Sequence, residues 1–236
     1  DETGLGHLIE ATRALGEQLN IWGHPPLHSV ILTHAHFGHV DGLGLFGRET
    51  LNARGLELYA SASMLSLIEQ TPQWSLMVEQ GVFSAVPTTA GRIHSLSPDV
   101  RLEAVEVPHR AELSDMHAFI VRGPNQSVLF LPDHDRWDDT LAHHNASSIR
   151  EWLCALRVDI ALVDGTFWSA NELQGRRQDE VPHPTVSETL ERLGPRAEGD
   201  PEIVFIHLNH TNPLHVPSSS DGVVRVGNQR SNTGNF

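Results

Sequence analysis

The sequence predicts an α/β fold, on three observations. Apolar runs of strand length alternate with stretches whose apolar residues recur at helical spacing. Residues able to bind metal or move protons follow the ends of five of those runs. At 236 residues the chain is long enough for one well-buried domain, and two full domains would be crowded.

The elements follow in order. Leu5, Leu8, Ile9, Thr12, Leu15 and Leu19 predict a first helix, stopped by Gly23-His24-Pro25-Pro26. Residues 29–33 read as a buried strand, 41–51 as a helix, 56–60 as a second strand and 61–70 as a helix, and 74–91 as a loop that shapes a pocket. Residues 100–107, 117–122 and 127–131 read as three strands, the last two joined by the hairpin signal Gly123-Pro124-Asn125-Gln126. A helix at 147–156, a strand at 159–163, a helix at 185–193 and a strand at 202–206 complete the alternation. In the Ser-, Gly- and Asn-rich end only 222–226 reads as an edge strand. No repeat or long linker intervenes, so residues 1–217 are expected to form one domain and 218–236 an irregular tail.

Composition excludes several classes. All 16 basic side chains are arginine, against 30 carboxylates, and a formal charge of −14 argues against a protein that binds a phosphate backbone. The single Cys154 rules out a disulfide within the chain and reads as a small buried hydrophobe. No apolar run approaches the length of a membrane span, and the first residues show no signal-peptide pattern, so a cytoplasmic location is expected. The expected partner is a small-molecule substrate, with neither nucleic acid nor membrane; a homodimer is compatible with the chain.

Thr33-His34-Ala35-His36-Phe37-Gly38-His39-Val40-Asp41-Gly42 follows the apolar Val30-Ile31-Leu32. Three imidazoles within six residues, where a strand must end in a turn, suit a transition metal better than a core. The alternative is a polar, His-rich surface loop. Against it stand the other strand ends: His109 follows Val105-Glu106-Val107-Pro108, Asp133 follows Val128-Leu129-Phe130-Leu131-Pro132, Asp164 follows Ala161-Leu162-Val163, and His207 follows Ile203-Val204-Phe205-Ile206. Strand ends of an α/β sheet converge on one edge, so residues far apart in sequence can meet there.

This order resembles the metallo-β-lactamase superfamily over nearly the whole chain, and the resemblance is nearest to its pyrroloquinoline quinone biosynthesis B-type branch. Leu131-Pro132-Asp133, Asp164-Gly165-Thr166-Phe167-Trp168 and the stretch Phe205-Ile206-His207-Leu208-Asn209-His210-Thr211-Asn212-Pro213 carry that nearer likeness. The resemblance implies a four-layer αβ/βα fold. It implies a first metal site on His34, His36 and His109, a bridging Asp133 that orients the nucleophile, and a second site to which His39 and His207 contribute. Two departures stand out. The family's Asp between the second and third His of the motif is Gly38 here, which removes a ligand from the second site. Only 33 residues precede His34, where the family generally has several strands, so a shortened N-terminal half is expected, either through truncation or because those strands lie outside the sequence as given.

The implied chemistry is hydrolysis of a small ester, lactone, amide or phosphodiester. A bound zinc-class ion, one or two in number, lowers the pKa of water from about 15.7 toward about 7 and polarises a carbonyl or phosphoryl oxygen. Iron or manganese also suits the donors. His183 in Val181-Pro182-His183-Pro184-Thr185 resembles in position the His-containing turn that serves as acid in phosphodiesterase-like members; the alternative is a structural loop residue. His210 is a second candidate for acid or substrate anchor, or else fixes the Asn-Pro turn. Rival readings are an Fe(II)-dependent oxidation in quinone cofactor biosynthesis and a non-catalytic metal-binding protein.

Other residues have blander expectations. Trp74, Trp137, Trp152 and Trp168 read as core or pocket-wall aromatics. His117 reads as a satisfied strand residue, His143-His144 as a solvated helix start, Asp135 as an ion-pair partner, and Asp164 as a carboxylate that supports the ligands rather than joins them.

Overall fold

The computed structural model describes residues 1–110, 112–172, 180–214 and 224–225. Two compact units make up the chain, Asp1–Pro124 and Asn125–Phe236.

The first unit opens with a strand, β1 (Gly6–Ile9), where a helix was expected. Gly6, His7, Leu8 and Ile9 pair in parallel with β2 (Leu27–Ile31), and Glu10 then takes φ +73°, which ends any helical path. The apolar spacing at Leu15 and Leu19 does mark a helix, α1 (Leu15–Trp22), closed by a left-handed Gly23. After β2 come α2 (Phe37–Val40) and a 3-10 turn over Asp41–Phe46, rather than a regular helix to residue 51. Three glycines at 42, 44 and 47 favour the tighter path. Gly42 has no alternative, because a Cβ there would lie 2.2 Å from the Thr12 carbonyl oxygen.

β3 (Leu56–Ser61) leads into α3 (Ala62–Gln70), whose first turn is capped by the Ser61 hydroxyl accepting from Met64 N–H. The expected loop at 74–91 is instead α4 (Pro72–Glu79), begun by a proline in its first turn, and β4 (Phe83–Thr88). The four strands form a parallel sheet in the order β1-β2-β3-β4. β5 (Ile93–Ser95), which has no clear signal in the sequence, pairs antiparallel with β6 (Arg101–Glu106), and β6 with β7 (His117–Arg122). Successive residues of β2 and β3 face opposite sides: Val30, Leu58 and Ala60 enter a core with Leu15, Leu43, Phe46 and Met64, while Ile31 and Tyr59 pack with Leu102 and Phe119. Burial on both faces explains why these strands read as continuous apolar runs.

In the second unit β8 (Ser127–Leu131), β9 (Ile160–Asp164) and β10 (Glu202–Ile206) are parallel neighbours, and β11 (Val224–Arg225), within the expected edge strand, pairs antiparallel with β10. The rest of 215–236 lies outside the described residues. Helix α5 (Trp137–His143) places His143 and His144 at a helix end rather than a start, and His144 stacks on Trp152 with ring centroids 5.2 Å apart. Helices α6 (Ile149–Leu156) and α7 (Val186–Leu193) are capped by Ser148 and Thr185. Ile149, Trp152 and Leu153 form the buried stripe of α6, and the next position turns outward. Cys154 is therefore exposed, contrary to expectation. Trp137 and Trp152 are core residues as expected, and the Trp137 indole donates to Thr189 Oγ1 at 2.8 Å. Among the described residues no helix is long and apolar enough to cross a membrane.

Candidate metal centre

The histidine segment leaves the C-terminal end of β2, where Leu32 N–H still bonds to Tyr59 of β3. Thr33 and His34 are fully buried, His36 is half-buried, and His39 is carried inward by α2. His109 arrives three residues after β6. His34 Nε2 lies 2.9 Å from His36 Nδ1, and His109 Nε2 lies 3.2 Å from the same atom. The three ring planes stand 73° to 83° apart, so the nitrogens meet while the rings avoid one another. The His39 ring centroid is 4.2 Å from that of His34. Three imidazole nitrogens that converge at this range suit a shared cation, and the donor set fits one.

Partners behind the rings select the nitrogens in front. His36 Nε2 faces Glu112 Oε2 at 3.2 Å, which places its proton on Nε2 and leaves Nδ1 as the ligand atom. Glu10, 4% exposed, accepts from Thr33 N–H at 3.1 Å and from the Thr33 hydroxyl at 2.6 Å through Oε1, and pairs with His39 Nδ1 through Oε2. Burial pushes the Glu10 carboxyl up, but the neighbouring His39 and His34 imidazoles and the hydrogen bonds from His39 and Thr33 outweigh it and hold the group below the ordinary value.

The second unit gathers its own set. Asp133 follows β8, Asp164 is the last residue of β9, His183 precedes α7, and His207 directly follows β10. Asp133 and Asp164 are 2% and 1% exposed, whereas His207 is exposed and sits at φ +59°. His183 Nδ1 lies 2.8 Å from Asp164 Oδ2 and 3.0 Å from Asp133 Oδ1. Burial disfavours charge on His183, yet the Asp164 carboxylate and the hydrogen bonds to Asp133 and Asp164 prevail and push it up to about 10. Burial likewise pushes Asp164 up, and the His183 charge outweighs it, so Asp164 is held below the ordinary carboxylate value. The Thr166 hydroxyl donates to Asp164 Oδ1 at 2.7 Å and lies 2.9 Å from His207 Nδ1. Ligand atoms of Asp164, His183 and His207 all lie within 4.8 Å of one another, a grouping able to hold an ion.

Thus the sequence-predicted ligands His34, His36, His39 and His109 cluster in the first unit, and Asp133 and His207 lie with the acid candidate His183 in the second. His210 is exposed and bonds to its neighbour Asn209 at 3.1 Å. His117 is a buried strand residue whose Nδ1 meets the Thr88 hydroxyl at 3.1 Å. Sequence reasoning missed Glu10, Thr33, Glu112 and Thr166. Thr33 and Thr166 adjoin the motifs and were within reach of it; Glu10 lies in a stretch that reads as helix and carries no signal.

Comparison with known proteins agrees with this geometry. A family model described as the beta-lactamase superfamily domain matches residues 3–208. Coenzyme PQQ synthesis protein B of Cupriavidus taiwanensis is 28% identical over 220 residues, covering 82% of this chain and 66% of that protein. The chain thus spans just under two thirds of that relative's length. Among solved structures, the zinc-bound PqqB of Methylobacterium extorquens matches with a TM-score of 0.65 at 18% identity, over 90% of this chain and 76% of that one. A diphosphatase of the PhnP family matches with a TM-score of 0.58 at 18% identity, over 92% and 74%. At these identities the structural likenesses speak for the α/β fold alone.

Proposed function

The chain belongs to the beta-lactamase superfamily, and from that premise we propose that it is a metal-dependent hydrolase of a small ester, lactone, amide or phosphodiester. The observation that carries this reading is the convergence of His34 Nε2, His36 Nδ1 and His109 Nε2. These three residues would hold the first ion, and the family's order of ligands adds Asp133, with His39 and His207 for a second. When bound, a zinc-class ion acidifies water and polarises the oxygen of the scissile group.

The chain's own residues supply the rest. Glu112 holds the His36 ring with Nδ1 forward. Asp164 anchors His183, which carries a proton on Nδ1 toward two carboxylates. The buried His183 lines a cleft with Asp135, Arg136, Pro182 and Pro184, the side from which a substrate would approach it. It is the proton donor to the leaving group in this reading, with His210 as the alternative. Gly38 leaves the second ion with fewer protein ligands, so one tightly held ion is expected.

Metal analysis of protein purified without added metal, followed by turnover of a panel of esters, lactones and phosphodiesters, tests the proposal. Stoichiometric zinc or manganese with hydrolytic turnover supports it; protein devoid of metal after growth in replete medium overturns it. A second reading rests on the Coenzyme PQQ synthesis protein B relatives: a metal-dependent step in the making of a PQQ-type cofactor. Iron content with oxygen uptake would favour that reading over hydrolysis.

A further inference from the structure

We infer that Glu10 is a positioning residue for two metal-ligating imidazoles at once, His39 directly and His34 through the Thr33 hydroxyl, so that both rings are held with Nε2 bare and forward. The inference rests on the metal reading above and deepens it.

The proton count leaves one assignment. A hydroxyl has a single proton, and an ionised carboxylate can only accept. The Thr33 hydroxyl lies 2.6 Å from Glu10 Oε1 and must donate there, so toward His34 Nδ1, 2.9 Å away, it can only accept. His34 therefore carries its proton on Nδ1. His39 Nδ1 faces Glu10 Oε2 and carries its proton there for the same reason. In each neutral ring Nε2 is then the lone-pair atom, and in His34 that is the atom that meets His36 Nδ1, the atom His109 Nε2 also approaches.

The backbone is built around this carboxylate. Glu10 adopts φ +73°, a region sparsely populated by residues other than glycine, and such outliers persist only where surroundings over-determine them. Here Glu10 N–H bonds to Ile31, Ala11 N–H to His39, and Gly42 N–H to Ala11, at 2.8, 2.9 and 2.7 Å. The chain is thereby tied to the end of β2 on one side and to the His39 helix on the other. The second unit repeats the wiring with different residues: Asp164 Oδ1 accepts from Thr166, Thr166 faces His207 Nδ1, and Asp164 Oδ2 faces His183 Nδ1. One carboxylate, one threonine and two histidines recur, which argues for a device rather than a packing accident.

The test uses Glu10→Gln, Thr33→Val and Thr33→Ser in the full chain, with zinc affinity read by competition against a chromophoric chelator. Thr33→Val keeps the shape but removes the relay, and should weaken zinc about 10- to 100-fold, while Thr33→Ser restores it. Glu10→Gln, whose single amide oxygen can serve Thr33 or His39 but not both and whose NH2 then faces the other donor, should weaken it more. Nitrogen-15 correlation spectra at about pH 8, above the ordinary imidazole range, should show His34 and His39 as Nδ1–H forms. Parental affinity in a folded Thr33→Val, or Nε2–H forms in the spectra, would overturn the inference; if Glu10→Gln fails to fold, Thr33→Val decides. Should the parent bind no zinc, the metal reading fails, and the spectra alone still decide the tautomers.

Discussion

His183 Nδ1 and Asp164 Oδ2 lie 2.8 Å apart in a buried pair, with Asp133 Oδ1 3.0 Å from the same nitrogen. A histidine gripped by two carboxylates keeps its proton at neutral pH, as a group raised to about 10 must. Its substitution has a kinetic signature. General acid catalysis contributes roughly 10²- to 10⁴-fold and matters least when the leaving group is already a weak base. His183→Ala should slow substrates with poor leaving groups strongly, spare activated nitrophenyl-type substrates, and leave metal content unchanged. Equal losses on both substrate classes would move the acid role to His210.

Metal content should depend on His34, His36 and His109 together. Removing one of three converging nitrogens should cost at least as much as losing a supporting partner, roughly a hundredfold or more in affinity, while the apolar strands keep the fold. Plasma emission analysis of purified His36→Ala checks this. Undiminished metal in that variant would show that the first site lies elsewhere.

Gly38 offers a gain-of-ligand test. It is exposed, and a Cβ there would meet nothing within 4 Å, so the loop accepts a side chain without rearrangement. Gly38→Asp places a carboxylate where the family has one and should raise occupancy of a second ion. Unchanged stoichiometry by titration, with the fold intact, would mean that position 38 does not face the ions.

Folding should also report on His117. Burial holds its imidazole below the ordinary 6.5, with Asp115 and Glu106 opposing. Below pH 6.5 the unfolded chain then binds more protons here than the folded one. The stability associated with the neutral ring is therefore complete above 6.5 and is lost as pH falls beneath it. Thermal unfolding of the metal-free protein between about pH 8 and about pH 5 should show this slope, and His117→Gln should flatten it. A variant as steep as the parent would remove His117 from the account.

Some elements were legible because their signals are local. Ser61, Ser148 and Thr185 cap helices that the sequence places within one or two residues, each with a hydroxyl accepting from the N–H three residues on. Cys154 could have been placed correctly too, since Ile149, Trp152 and Leu153 already mark the inward face of its helix. The first helix misled for the opposite reason: Leu8 and Ile9 satisfy a helical spacing with Leu15 and Leu19, and only pairing with Leu27–Ile31 makes them a strand.

By itself the sequence determined the α/β class, the family, and the histidines and carboxylates at the strand ends, because a strand's length, its apolar run and the polar residue after it are written contiguously. Tertiary structure alone decided which nitrogen of each ring faces forward. That choice rests on Glu10, 23 residues before Thr33 and 29 before His39, and on Glu112, 76 beyond His36. A proton on one imidazole nitrogen rather than the other follows from the partner behind the ring, and no spacing along the chain encodes that partner until the backbone has brought it there.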